Sequence, residues 1–226
     1  MSARHQRHAE TDPHAGQTGA VAGVPLSVAS YAMILVHGRG GTPEGMLPVA
    51  RAAGAVDGFV IAPRASEGQW YPQRFLAPVA QNEPWLTSAL MAVGNAVDTI
   101  RAAGIPAARI IIAGFSQGAC LTLEYAARHP ERYGAIAALA GAMVGDPRER
   151  PAYTGSLAGT PVLLACGDAD EHIPESYVRD SAAVLGGLGA AVDLRIYPGI
   201  GHSIVGDQLD ALRDMLDAVR ASVPAG

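Results

Sequence analysis

The segment Gly114-Phe115-Ser116-Gln117-Gly118 follows the apolar run Arg109–Ala113 and leads into a helical pattern. A serine at a sharp strand-to-helix turn, between glycines that let strand and helix pass closely, presents its hydroxyl at a helix N-terminus. There the aligned peptide dipoles favour a developing anion. A hydroxyl is a weak nucleophile and needs a base to take its proton. Outside the first 16 residues the histidines are His37, His129, His172 and His202. His129 precedes Pro130 at the end of a helical pattern and reads as a C-terminal cation. His202 lies in the glycine-rich Pro198-Gly199-Ile200-Gly201-His202-Ser203, after the last strand pattern and before the last helix. Its place in chain order behind Ser116 makes it the expected general base.

An imidazole base needs a carboxylate to hold its tautomer and stabilise its cation. The stretch Gly167-Asp168-Ala169-Asp170-Glu171-His172-Ile173-Pro174 offers two candidates, Asp168 and Asp170. They point in different directions, one able to orient His202 and the other to bond the turn backbone. Residue chemistry leaves the choice open. For the oxyanion, the backbone N–H of Gln117 is one expected donor. The second is that of Arg39, in His37-Gly38-Arg39-Gly40-Gly41. This loop lacks the lysine-serine or lysine-threonine ending of a phosphate-binding P-loop.

The elements that must carry these residues are legible from hydropathy. Tyr31–Val36, Gly58–Ile61, Arg109–Ala113, Ala135–Leu139, Pro161–Ala165 and Ala191–Tyr197 read as strands. Several are apolar at consecutive positions, the pattern of parallel strands buried on both faces. Helical patterns fill the gaps: from Thr42-Pro43 to about Ala53, from Asn82 to Gly104, from Ser116 to His129, from Pro174 to Gly186, and from Asp207 to about Ser222. Alternation of this kind predicts an α/β architecture, a mostly parallel sheet with helices on both faces and right-handed crossovers. Residues 1–16 read as a flexible tail and 17–226 as a single domain. His5, His8 and His14 in the tail have no fixed spacing, and no metal or cofactor is expected.

With 49% apolar residues, the chain can bury a large core. A net charge of −5 argues against nucleic acid as a partner. No apolar run reaches the length of a membrane span, and the N-terminus lacks the apolar core of a signal peptide, so a cytoplasmic location is expected. Cys120 and Cys166 read as buried free thiols; a homodimer is left open.

With HGRGG, GFSQG, GDADEHIP and PGIGHS in that order, the chain resembles the phospholipase/carboxylesterase family, which includes the acyl-protein thioesterases. The likeness runs over roughly residues 20–222 and implies the α/β-hydrolase fold without a large lid domain. It also implies Asp170 as the triad acid with Asp168 structural, and oxyanion donors at Arg39 and Gln117. Members acting on lipidated proteins carry a leucine where this chain has Arg39. A serine carboxylesterase acting on short- to medium-chain esters is therefore the expected activity. An acyl-thioesterase, a lysophospholipase or a dienelactone-type hydrolase is the alternative, and a non-catalytic binding protein of the same fold the remote one.

The connection from Pro63 to Gln81 is too long for an ordinary loop between strand and helix. Trp70, Tyr71, Phe75 and Trp85, four of the chain's twelve aromatics, fall in and just beyond it. They are expected to wall an acyl pocket beside Ser116.

Overall fold

The computed structural model describes residues 12–222. Its centre is a seven-stranded sheet: β1 (Ala20–Gly23), β2 (Ala32–Val36), β3 (Phe59–Ala62), β4 (Ile110–Phe115), β5 (Ala135–Leu139), β6 (Pro161–Gly167) and β7 (Ala191–Tyr197). Their spatial order is β1-β3-β2-β4-β5-β6-β7. Only the edge strand β1 runs antiparallel, pairing Ala20 with Ala62 and Gly23 with Phe59. Sequence periodicity does not reveal β1, a four-residue strand with alternately exposed positions.

Among the described residues five α-helices cover the sheet: α1 (Pro43–Ala52), α2 (Trp85–Ala102), α3 (Gln117–Arg128), α4 (Glu175–Gly187) and α5 (Gly206–Ala221). Strand β2 explains how. Its residues 32–36 are all buried, but alternate ones face opposite layers. Ala32, Ile34 and Val36 join the core under α2, α3 and α4. Met33 and Leu35 join Met46, Ala50, Leu212 and Leu216 under α1 and α5. Two apolar faces on one strand require an uninterrupted apolar run.

Helix α1 begins as its residues dictate. Thr42 is extended, its Oγ1 accepts from the Gly45 N–H at 3.2 Å, and Pro43 fills the first helical position. Helix α2 starts at Trp85, later than its pattern suggests, because Val79–Asn82 form a separate 3-10 turn. Helix α5 starts at Gly206 behind an extended Val205, so Asp207 lies within the first turn. Its carboxylate bonds Arg195 and Tyr197 of β7.

The expected tail does not extend to residue 16. His14 is buried and is held by long-range hydrogen bonds to Ser66, Trp70 and Ser88. His5 and His8 lie outside the described residues. Among the described residues no helix is long and apolar enough to cross a membrane.

Candidate active site

All the sequence-derived chemical residues emerge at one edge, the C-terminal ends of the parallel strands, where ligands gather in folds of this layout. His37–Gly41 leaves β2, Ser116 leaves β4, Asp170 follows β6 and His202 follows β7. Ser116 sits at φ 55°, ψ −120° between β4 and α3, strained for a residue with a side chain. The flanking glycines are obligatory. A Cβ on Gly114 would lie 2.3 Å from the Gly118 carbonyl oxygen, and one on Gly118 would lie 2.1 Å from that of Val36.

Three side chains form a hydrogen-bonded line. Ser116 Oγ lies 2.7 Å from His202 Nε2, and His202 Nδ1 lies 2.7 Å from Asp170 Oδ2. A carboxylate only accepts, so Nδ1 carries the proton and Nε2 is left to accept from the serine. Asp170 is buried, and its Oδ1 accepts from the backbone N–H groups of His172 (2.8 Å) and Ile173 (3.0 Å). Burial pushes the Asp170 carboxyl upward, but the bonds from His202, His172 and Ile173 outweigh it and hold the group below the usual carboxylate range. It therefore stays ionised. Asp168 faces elsewhere, its Oδ1 accepting from Gly199 N–H at 2.6 Å and tying down the loop that carries His202. Phe115 and His172 pack their rings 5.1 and 4.8 Å from the His202 ring, limiting its rotation.

Among the described residues, the backbone N–H groups of Arg39 and Gln117 donate to no protein acceptor. Both residues line the same cavity as Ser116, leaving these donors available there. Their side chains have a task the sequence did not suggest. Gln117 Oε1 accepts from Trp70 N–H at 2.9 Å while its Nε2 donates to the Tyr71 carbonyl at 2.8 Å. The Arg39 guanidinium donates to Gln69 Oε1 and to the carbonyls of Tyr71, Pro72 and Gln73, at 2.6–2.9 Å. Together they fasten the long connection to the strand ends.

The cavity measures about 320 Å³. Tyr71 and Phe75 line it, as expected of the aromatic segment, and Phe115, Cys120 and Ile173 complete the apolar wall. Trp70 and Trp85 depart from the expectation, for neither lines it. Trp70 is fully buried, its Nε1 donating to the His37 carbonyl at 2.8 Å, with the His37 and His14 rings 5.0 and 5.4 Å away. It is the anchor of the loop, and Trp85 packs against His14 beside it. Burial also pushes the thiols of Cys120 and Cys166 up to about 12, so neither is a thiolate near neutrality.

The strand order, the serine turn and the acid and histidine loops define an α/β hydrolase. A model of the phospholipase/carboxylesterase family matches residues 24–220, and the chain belongs to that family. The solved phospholipase/carboxylesterase from Dyadobacter fermentans is 40% identical, with a TM-score of 0.84 over 89% of this chain and 96% of that one. Acyl-protein thioesterase 1 of Eremothecium gossypii is 30% identical over 220 residues, 87% of this chain and 90% of that protein. The match to acyl-protein thioesterase 1 of Gibberella zeae is 32% over 115 residues. The chain spans about half the length of the first curated relatives it matches.

Proposed function

We propose that the protein is a serine carboxylesterase acting on short- to medium-chain esters through an acyl-enzyme. The observation that carries this reading is the Ser116–His202–Asp170 line opening into a cavity with two unpartnered backbone N–H groups. In this reading His202 Nε2 takes the Ser116 proton as Oγ attacks the ester carbonyl. Asp170 stabilises the imidazolium, and the N–H groups of Arg39 and Gln117 receive the oxyanion. Collapse of the tetrahedral adduct expels the alcohol, which takes the proton from His202. Water activated by the same histidine then releases the acid. The buried, protonated thiol of Cys120 supports serine over cysteine as the nucleophile.

A wall of Tyr71, Phe75 and Phe115 in about 320 Å³ supports a small acyl group. Each buried CH₂ adds roughly 0.8 kcal/mol until the slot is full. On p-nitrophenyl esters kcat/KM is expected to peak between about two and eight acyl carbons, the affinity gain then giving way to steric limits. A steady rise to palmitoyl esters favours a depalmitoylating enzyme instead. A fluorophosphonate probe should label the wild-type protein and not Ser116→Ala. Equal labelling of both, or of neither, refutes the nucleophile assignment.

A further inference from the structure

We infer that the substrate ester carries a carboxylate, received by Arg74 at the rim of the cavity. The inference rests on the esterase reading above and names the class of ester. The chain as a whole is acidic, with 21 aspartates and glutamates against 16 basic residues, every one an arginine. The cavity reverses this balance: its lining includes Arg39, Arg74, His172 and His202 and no aspartate or glutamate. Glu171, beside His172 in the chain, is exposed and does not line it.

Nine arginines elsewhere in the described chain form ion pairs with carboxylates. Among the described residues Arg39, Arg51, Arg74, Arg109 and Arg132 pair with none, and of these five Arg39 and Arg74 face the cavity. They differ in what they have left to give. The Arg39 guanidinium is bound to four oxygens of the 69–73 loop. Its charge remains, but four of its five N–H donors are taken. Arg74 gives a single long bond, from Nη2 to the His172 carbonyl at 3.4 Å. A planar fork with free donors and an uncompensated charge matches a carboxylate in two parallel bonds.

Its position is also specific. Arg74 precedes Phe75, a wall of the cavity, and reaches His172, whose ring stands edge-on to His202 at 4.8 Å. The fork thus sits on the histidine side of the opening, across from nothing acidic. The positive charge of Arg39 and the N-terminal end of α3 add to the same field.

The carboxylate can lie on either limb of the ester, and two matched pairs separate the cases. On the acid limb, monoethyl glutarate is compared with ethyl pentanoate; on the alcohol limb, 3-acetoxypropanoate is compared with propyl acetate. Initial rates are followed by pH-stat at low ionic strength for the wild type and Arg74→Gln. The expected result is a kcat/KM ratio favouring the charged ester by on the order of 10–100-fold in at least one pair, as hydrogen bonds to charged groups supply. That ratio should collapse in Arg74→Gln and shrink with added salt; taking it within each pair cancels any general loss of activity. Turnover with neutral esters preferred in both pairs, or with a ratio indifferent to Arg74→Gln, overturns the inference alone. Absence of turnover of all four esters together with absence of fluorophosphonate labelling overturns the esterase reading and this inference with it.

Discussion

Replacing Asp170 with asparagine isolates the electrostatic role of one atom. Asp170 Oδ1 already accepts two backbone N–H groups, from His172 and Ile173. An asparagine must keep its carbonyl oxygen there, because turning its NH₂ toward two donors would leave three groups unsatisfied in a buried site. The NH₂ is then forced to face His202 Nδ1, where Oδ2 stood 2.7 Å away. An NH₂ donates, so the imidazole must shift its proton to Nε2. That nitrogen then donates to Ser116 and can no longer take its proton. Loss of the base in this way costs about 10⁴ in kcat, equivalent to about 5.5 kcal/mol of transition-state stabilisation. The fold should survive, since both backbone bonds are kept. Asp168→Asn retains an acceptor for Gly199 N–H and loses only the charge, a loss of about 1 kcal/mol and less than about tenfold in rate. The assay is kcat on a p-nitrophenyl ester at about pH 8, where a free imidazole is neutral, with near-UV circular dichroism as the check on folding. A folded Asp170→Asn within tenfold of wild type, or an Asp168→Asn more damaging than it, refutes the assignment.

Two further outcomes concern stability. Trp70→Ala empties a fully buried site and strips the His37 carbonyl of its donor, so unfolding by urea should come at about 3–5 kcal/mol less stability; a loss under about 1 kcal/mol contradicts the anchoring role. His14 and His37 each accept a backbone N–H on one ring nitrogen and donate from the other, and burial holds both below the ordinary imidazole value. The folded protein therefore resists protons that the unfolded chain takes up below about pH 6.5, costing about 1.4 kcal/mol per pH unit for each histidine until its folded value is reached. Urea midpoints should hold steady above about pH 6.5 and fall below it, with a shallower fall in His14→Phe. An unchanged slope in that variant contradicts the account.

The strands from β2 onward and the serine turn were readable because each rests largely on local pattern. Gly114 is required by a contact with Gly118 only four residues on, although Gly118 itself answers to the distant Val36 carbonyl, and the β2 run is apolar because both faces are covered. What escaped rests on distant pairing. Nothing near His14 signals that its ring will meet Trp70 across 56 residues. Strand β1 is four small residues whose hydrogen bonds all come from β3. Trp70 and Tyr71 are neighbours of similar chemistry, and only the fold turns one into the core and the other toward the cavity. The choice between Asp168 and Asp170 likewise needs the positions of Gly199 and His202, over 30 residues downstream.

The Arg39 clamp takes three of its four acceptors from main-chain carbonyls, those of Tyr71, Pro72 and Gln73. Every amino acid supplies the same carbonyl, so the clamp is blind to the side chains at positions 72 and 73. Sequence freedom is thereby left at two positions flanked by the cavity-lining Tyr71 and Arg74, while the duty of holding the loop is shared by Arg39, Gln117 and Trp70. A library randomised at 72 and 73 keeps the acceptors of the clamp, whereas one that admits changes at 39 removes all four of its bonds to the loop.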